Sequence, residues 1–564
     1  MSNRIKQIIK NPYFLITVVY VITQFFMLLL SGCWWDDWTF MTHNLGYINA
    51  VASQSGRPEW NILIPFCWSL PNNGRFLIFF LYYLDSIFVY HILKESELFT
   101  KEESLVLTLL FIVIPANDAR ILISNFAYTV GLFVFYLTFS LFVRWNKLEK
   151  SNRKTVFRIL LLLMFFVSFI LNSLMAFYYI VIGYLFVLDL RKNNESNWLK
   201  KIVHSVKNVI LQYPDFCIIP FVYFAYNKIF FPTNGEIFGS YNSITIKSII
   251  KTIIYVPISA FSTVAKVVLN FVSSINWLVM IVLLVFIGIY SYVHRFEAND
   301  ISYDYKKTLL YFAYGFVVLL LGLFPYVAIR GMNIELNGIQ GRDSILIPLG
   351  VSLILFSALS LFGNKQRRLM TAIIVLLGAF SFNQIYLEWQ KDYYYQLSME
   401  NLLNNQIIKN NDTFFLADLN ESNISGQRYY SLNKNASNVY NNETRFFIPK
   451  VSNLYLLEDE EALNKTIEAL DYAYVMRDYK PDDLNLDAVI IYECDLNTFN
   501  TIRYKYNEIF NEEEFNNLIK SNGSMSVVEV DDGFTSLLLK KYNDNEISSD
   551  EDVIMLLVEY MSGN

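Results

Sequence analysis

Charged residues are scarce in this chain. They make up 17% of its 564 residues, whereas hydrophobic residues make up 54%, and ordinary soluble domains are roughly 25% charged. The mean hydropathy is +0.33. A chain with so little polar surface cannot keep several globular domains in water. The composition therefore excludes an entirely soluble multidomain protein and favours a membrane protein.

Cysteine is rare as well. The four cysteines, Cys33, Cys67, Cys217 and Cys494, are too few and too scattered for a disulfide framework. No Cys-x-x-Cys pair is present for zinc or redox chemistry. The sequence also lacks a Walker A loop and a Gly-x-Gly-x-x-Gly segment, which argues against an ATP-driven pump.

The charges that are present divide the chain into two parts. Residues 387–564 contain 14 basic and 32 acidic residues, and residues 1–386 contain 31 basic and 19 acidic ones. In the first part the basic residues lie in short clusters between apolar runs, which is typical of membrane topology and not of nucleic-acid binding. We therefore predict a helical polytopic membrane domain over residues 1–387 and an acidic domain over residues 388–564.

Apolar runs in the first part predict about eleven membrane spans, since a helix needs about 20 mainly apolar residues to cross the hydrocarbon core. The predicted spans are residues 13–30, 74–93, 104–118, 123–143, 157–171, 175–190, 208–231, 265–293, 308–327, 343–362 and 369–387. The fifth and sixth are short, and a hairpin that does not fully cross is the alternative there. The first run follows basic residues as in a signal peptide, but no convincing cleavage site follows it, so we predict an uncleaved helix.

Basic loops set the predicted orientation. The strongest basic clusters lie within residues 144–158, 191–207 and 365–368. With a cytoplasmic N-terminus, eleven spans place all three on the cytoplasmic side, as the positive-inside rule requires. The sequence thus predicts a multi-pass protein of the cell membrane. Its predicted extracytoplasmic parts are the C-terminal domain and the loops 31–73, 115–124, 232–264 and 328–342.

The C-terminal domain alternates strand-like and helix-like runs, which predicts a small α/β domain. The predicted strands are Phe414–Ala417, Ala488–Tyr492, Ser526–Val530 and Ser536–Leu539, and the predicted helices are Glu458–Tyr474 and Tyr506–Lys520. The acidic residues from Asn543 to Asp552 predict a mobile tail.

An acidic pair, Asp36-Asp37, follows the first predicted span inside the segment Trp34–Trp38. Two adjacent carboxylates at the outer end of a membrane helix must be solvated, paired or used in chemistry. In a partly buried pocket, desolvation would raise the pKa of a carboxyl group, which suits a general base. The alternative is a pair of carboxylates that face outer water beside aromatic residues, and we favour the catalytic interpretation.

Several arginines lie on the predicted outer side, against the positive-inside bias. Each could be an interface residue or a salt-bridge partner. A guanidinium group also binds phosphate bidentately, and a lipid-linked phosphate would lie at this depth. Because they occur in separate outer loops, we predict that they form an anion site: Arg57, Arg75, Arg120, Arg330 and Arg342.

Other polar residues are weaker candidates. Asp118 and Glu236 lie in outer loops and could bind substrate, although Glu236 also fits a solvated turn. Three of the four histidines fall on the cytoplasmic side, so an outer zinc site or Ser-His-Asp triad is poorly supported. His43, the outer histidine, is either a secondary hydrogen-bond donor or an ordinary loop residue. Asp85 lies within the second span and marks either an ion pathway or a buried pair with an arginine or tyrosine.

The order of these features resembles a known superfamily. The chain resembles the GT-C membrane glycosyltransferases in having one span followed by the pair Asp36-Asp37, then Gly56-Arg57-Pro58 and Asn117-Asp118-Ala119-Arg120. The string is most similar to the Gtr-type glucosyltransferases of bacterial O-antigen and to related wall-polymer enzymes. The resemblance covers about the first 190 residues by motif and about 390 by topology. Richness in Asn, Lys, Ile and Tyr is typical of an AT-rich bacterial genome.

This resemblance implies an inverting transfer of a sugar, glucose in the most similar enzymes, from a polyprenyl-phosphate donor to a surface or wall glycan. Asp36 or Asp37 would deprotonate the acceptor hydroxyl, and we prefer Asp36 as the base. The outer arginines would stabilise the departing phosphate. Asp36, Asp37 and Asp118 could also form an oxygen site for a divalent cation, but we predict no metal and no other cofactor. The implied partners are the lipid-linked sugar, the glycan acceptor, the bilayer and a flippase.

Two other functions stay open. A transporter or flippase for a lipid-linked glycan would use the outer arginines for head groups and Asp85 for coupling. A non-catalytic assembly protein would use its acidic outer domain to recruit a partner or a polymer. Acids and arginines at outer helix ends favour transfer over transport.

Overall fold

The structure is a computed structural model of the chain. It describes residues 11–30, 32–40, 45–149, 151–193, 195, 197–234, 246–293, 305–419, 433, 439, 445–466, 485–495, 517–519 and 521–563. Helices dominate this part of the chain, and its strands form a four-stranded sheet.

The chain divides into two compact units. The membrane unit consists of residues 1–29 and 49–386, and the C-terminal unit consists of residues 30–48 and 387–564. Residues 31–48, which we predicted as part of the membrane domain, therefore group with the C-terminal residues instead.

Eighteen helices precede the sheet among the described residues. They are α1 (Pro12–Gln24, continued by a 3-10 helix Phe25–Leu29), α2 (Asp37–Phe40), α3 (Leu45–Gln54), α4 (Trp60–Trp68), α5 (Arg75–Glu95), α6 (Lys101–Val113), α7 (Phe126–Asn146), α8 (Asn152–Ser168), α9 (Leu174–Phe177), α10 (Tyr179–Lys192), α11 (Trp198–Gln212), α12 (Pro214–Phe230), α13 (Ile246–Ser273), α14 (Trp277–Val293), α15 (Tyr305–Arg330), α16 (Ile347–Leu359), α17 (Asn364–Leu403) and α18 (Gln406–Asn410). Further 3-10 helices cover Pro71–Gly74, Asp118–Ile121, Ile123–Asn125 and Ile339–Ser344.

Fewer helices than predicted are long and apolar enough to cross a membrane. Among the described residues there are seven, or eight if the bent pair α11 and α12 forms one span. Six of the seven coincide with predicted spans. The seventh lies in α13, most of which falls within residues 232–264, where an outer loop was predicted. The part of the chain that the structure describes therefore has the helices of a polytopic membrane protein, but fewer full-length spans than predicted.

Local capping and proline explain several of the differences. The predicted span 265–293 is interrupted between α13 and α14, where the Asn276 side chain accepts a hydrogen bond of 2.9 Å from the Val279 N–H and so begins a new helix. The predicted span 104–118 ends early, because Pro115 disfavours helical backbone at Ile114, which is extended (φ −63°, ψ 115°).

The basic segments of the membrane unit meet at one end of its helices, which we call the basic end. Lys147 Nζ lies 2.8 Å from Glu97 Oε1, and Arg191 Nη1 donates to the Glu97 carbonyl oxygen at 3.0 Å. Lys307 Nζ lies 2.8 Å from Glu103 Oε1 at the start of α6. Arg368 Nε lies 3.0 Å from Glu102 Oε1. Acidic and carbonyl groups between residues 95 and 103 thus receive basic groups from segments far apart in sequence.

The C-terminal unit contains a mixed sheet with the strand order β2-β1-β3-β4. Its strands are β1 (Thr413–Asp418), β2 (Phe446–Pro449), β3 (Ala488–Cys494) and β4 (Gly523–Glu529). β1 runs parallel to β2 and β3, and β4 runs antiparallel to β3. Three of these strands were predicted, whereas β2 was not.

Both faces of the sheet are covered. Phe414 and Leu416 pack with the end of α17, and Phe415 and Ala417 pack with the helices α19 (Asp532–Asn543) and α20 (Asp550–Ser562). Alternate residues of a strand point to opposite faces, so the nearly continuous apolar run of β1 is buried on both sides.

Two predictions for this unit are wrong. Ser536–Leu539, predicted as a strand, lies inside α19, because the Asp531 side chain caps that helix by accepting from the Phe534 N–H at 3.0 Å. The tail predicted to be mobile leads into α20, which begins with a capping box between Ser549 and Asp552. The predicted helices Glu458–Tyr474 and Tyr506–Lys520 lie largely outside the described residues.

Candidate functional site

A buried polar layer lies at the end of the membrane unit opposite to the basic end. It joins the turn after α6 to the 3-10 helix before α16. The Asn117 backbone N–H donates to the Leu336 carbonyl oxygen at 3.1 Å and to Ser344 Oγ at 2.7 Å. Asp118 Oδ2 accepts from the Gly338 N–H at 2.8 Å, and this carboxylate is 1% exposed. Two of the segments that we predicted to carry the site are therefore in contact.

Glycine is required where the two segments meet. A Cβ atom at Gly341 would lie 2.4 Å from Asp118 Oδ1. Asn117 has a φ of +57°, in the left-handed region that asparagine tolerates better than most residues. The contact between the two segments thus depends on glycine at position 341 and on a residue that tolerates the left-handed region at position 117.

Arg120 belongs to the same layer but is used internally. Its Nε donates to the Asn117 carbonyl oxygen at 2.7 Å, and its Nη2 donates to the Ala116 carbonyl oxygen at 2.8 Å. Its guanidinium carbon lies 4.5 Å from the centre of the Tyr82 ring and 5.3 Å from that of Phe382. These contacts fix the turn, and they occupy two of the groups that a phosphate would need.

Asp85 is fully buried in α5, below this layer. Among the described residues, neither of its carboxylate oxygens has a hydrogen-bond partner. Its charge interacts with that of Arg120, and it lies near the hydroxyl groups of Tyr20, Tyr82 and Tyr136. The predicted buried pair of Asp85 with an arginine or tyrosine is therefore not formed among the described residues, where its carboxylate has neither a hydrogen-bond partner nor an ion pair within 4 Å.

Arg342 lies in the 3-10 helix of the polar layer. Its Nε is 3.9 Å from Asp343 Oδ1, and the two side chains are 14% and 9% exposed. Arginine and carboxylate are thus both held out of solvent at the end of the membrane helices, beside the segment that binds Asp118.

Arg57 lies elsewhere in the membrane unit, in the loop between α3 and α4. Its Nη1 donates to the Ile170 carbonyl oxygen at 2.6 Å and to Asn172 Oδ1 at 3.1 Å. Glu59 Oε1 lies 3.7 Å away. Burial raises the pKa of Glu59, and the charge of Arg57 opposes that shift. Arg57 therefore connects this loop to the turn between α8 and α9.

The other predicted arginines are distributed differently. Arg75 is fully buried at the start of α5, directly after Gly74, whose φ is +69°. Arg330 ends α15, but its side chain lies outside the described residues, as do His43 and Glu236. The structure thus brings together Asp118, Arg120 and Arg342, and places Arg57 and Arg75 on other segments.

The acidic pair belongs to the C-terminal unit. Asp37 is fully buried and begins the short helix α2, whereas Asp36 is half-buried. The preceding Trp35 has a φ of +51°. A left-handed tryptophan is uncommon and persists only where the surrounding structure holds it.

Residues of α17 hold this segment in place. Trp34 Nε1 donates to Asp392 Oδ2 at 2.5 Å, and Gln396 Nε2 donates to the same oxygen at 2.9 Å. The rings of Trp34 and Trp389 pack edge to face, with their centres 5.0 Å apart. We did not predict these three α17 residues as part of a site. The available signal was the spacing of Asp392 and Gln396, four residues apart on one helix face.

No group of three histidine, cysteine, aspartate or glutamate side chains within the described ranges could hold a metal ion. Comparisons with protein-family models, curated proteins and solved structures find no match to this chain. Its function must therefore be inferred from its own residues.

Proposed function

We propose that the chain is a membrane glycosyltransferase that moves a sugar from a polyprenyl-phosphate donor to a glycan acceptor on the outer side of the cell membrane. Asp36 is the general base, and Asp37 orients it or binds substrate. The half-buried position of Asp36 leaves it accessible to an acceptor, whereas Asp37 is fully buried. General-base catalysis requires a base that is held in position. The hydrogen bond from Trp34 to Asp392 anchors the segment that carries Asp36.

The buried polar layer supports the same proposal. Arginines and carboxylates at the ends of apolar helices lie at the depth of lipid head groups. Arg342 is the proposed ligand of the donor phosphate, and Asp118 is proposed to order the layer through the hydrogen bond that it accepts from the Gly338 N–H. The contacts of Arg57 and Arg120 with backbone carbonyl oxygens favour a supporting role for these two residues.

The test compares surface glycans by mass spectrometry in a deletion strain that carries the wild-type gene, Asp36→Asn or Asp37→Asn. Loss of one sugar unit from an intact polymer backbone supports transfer and names the product. Unchanged glycans in both variants, with a clear defect in the deletion strain, contradict the proposal.

A transporter of lipid-linked glycan is the second candidate, and Asp85 is the observation that favours it. Asp85 has no hydrogen-bond partner among the described residues. A buried, unpaired carboxylate inside a membrane helix is costly and is typical of ion or proton pathways. In such a protein Asp85 would couple substrate movement to an ion.

The substitution Asp85→Asn distinguishes the two candidates. For the transferase we expect the glycans to be unchanged, because the buried carboxylate takes no part in the chemistry. The measurement is the same glycan comparison, at matched protein levels in the membrane. If Asp85→Asn removes the product while both Asp36→Asn and Asp37→Asn retain it, transport replaces transfer as the proposed function.

A further inference from the structure

The helix α11 differs in direction from α12, the helix that follows it. It has 15 residues, which makes it about 22 Å long, whereas the hydrocarbon core is about 30 Å thick. It meets α12 at an angle of 69° across a break at Tyr213. Residues 208–212, which we predicted as the start of a span, instead form the last turns of α11.

Specific contacts set this bend. Pro214 lies in the first turn of α12, where its missing N–H costs nothing. Arg158 Nη2 donates to the Gln212 carbonyl oxygen at 3.2 Å, and Arg158 Nε donates to Asp215 Oδ2 at 2.6 Å. One side chain of α8 thus binds both the last residue of α11 and the first turn of α12. These hydrogen bonds on the two sides of the break hold α11 at its angle to α12.

The residues of α11 form three faces. Ser205 and Val209 are buried against the membrane unit. The second face is apolar and exposed to 68%, 67%, 43% and 52% at Leu199, Val203, Val206 and Ile210. The third face is exposed and basic at Lys200, His204 and Lys207, and it ends at Leu211, which is 67% exposed. At 100° per residue, the apolar and basic faces lie side by side from Leu199 to Lys207.

The segment that carries this helix is mainly basic. Residues 191–207 contain five basic residues and a single acid, Glu195. No ion pair with another described residue involves Lys200, Lys201 or Lys207. A face of lysines beside an exposed apolar face is complementary to anionic head groups above acyl chains.

We propose that α11 lies in the membrane–water interface at the basic end and binds anionic phospholipids. Its apolar face contacts acyl chains, and Lys200 and Lys207 on the basic face bind the head-group phosphates. Lys201, half-buried beside the basic face, adds to the positive charge. Each lysine near an anionic surface contributes about a fivefold preference for the anionic lipid over an uncharged one. This inference concerns the opposite end of the unit from the polar layer, and it does not depend on the proposed transferase activity.

Trp198 provides the test, since it begins α11 and is 65% exposed. The full-length protein is reconstituted into phosphatidylcholine bilayers that contain either brominated phosphatidylglycerol or brominated phosphatidylcholine. Bromine quenches nearby tryptophan, and the contribution of Trp198 is the difference between the wild-type protein and Trp198→Phe. We expect quenching by both lipids, with at least a fivefold preference for phosphatidylglycerol.

In the triple variant K200Q/K201Q/K207Q, the ratio of quenching by brominated phosphatidylglycerol to quenching by brominated phosphatidylcholine should fall close to one. Brominated phosphatidylcholine should still quench Trp198. The persistence of that quenching shows that the helix has kept its place. The control variant K409Q/K465Q/K540Q removes the same charge from exposed positions of the C-terminal unit and should keep the preference. Equal quenching of wild-type Trp198 by both lipids would overturn the anionic preference, and no quenching by either would overturn the interfacial position.

Discussion

The Asp36→Asn variant is expected to lose sugar transfer, with a rate lowered by about 10²–10⁴-fold as is typical when a general base is removed. Asparagine has nearly the same shape as aspartate but cannot accept the proton of an acceptor hydroxyl. Asp37→Asn should also lower the rate, because Asp37 is buried in the first turn of the same short helix. In the cell, either loss would appear as the absence of one sugar from the surface glycan.

The measurement is transfer by purified protein from a polyprenyl-phosphate sugar to a glycan acceptor, followed by mass spectrometry of the product. The matched control is Asp544→Asn, which removes an exposed carboxylate from the same unit and should leave the rate unchanged. Because Asp37 is fully buried, the melting temperature of each variant must be compared with that of the wild type. Wild-type rates in both folded variants would show that the acidic pair is not the catalytic base.

The Gly350→Ala variant is expected to destabilise the membrane unit by about 1–3 kcal/mol, the usual effect of overpacking. Gly350 lies in α16, and a Cβ atom there would lie 2.6 Å from the Leu319 nitrogen and 2.7 Å from its Cα. These are backbone atoms of α15, so no side chain can rotate away. The two helices approach closely because glycine leaves room for the neighbouring backbone.

The same substitution at Gly183 should stabilise the membrane unit instead of destabilising it. Gly183 lies inside α10, and a Cβ atom there would meet nothing within 4 Å. Alanine favours the helix by about 0.5–1 kcal/mol over glycine in such a position. Thermal unfolding of both variants in the same detergent checks this pair, and an equal shift for Gly350→Ala and Gly183→Ala would contradict the close packing of α15 and α16.

Much of the secondary structure follows directly from the sequence. Long apolar runs form helices because their backbone groups must be satisfied internally, and β1, β3 and β4 follow from short runs rich in aromatic and branched residues. The strand β2 (Phe446–Pro449) was missed because four residues carry little periodicity. The mistaken strand Ser536–Leu539 shows the opposite failure, since one capping aspartate outweighed the local preference for a strand.

The membrane spans show where sequence patterns stop being sufficient. Hydropathy identifies an apolar segment, but it does not show where that segment bends or begins anew. Pro214 and Arg158 decide the bend between α11 and α12, and Arg158 is 57 residues from the carboxylate that it binds.

The sequence by itself determined which residues are candidates for the site, because carboxylates and arginines next to apolar runs are recognisable from their spacing and charge. Only the tertiary structure decided what each one contacts. Arg57 and Arg120 donate to backbone carbonyl oxygens, Asp118 joins two distant segments, and Trp34 binds Asp392, 358 residues away in sequence. The physical reason is that a buried donor or acceptor must find a partner wherever the fold provides one, and local spacing along the chain does not specify that partner.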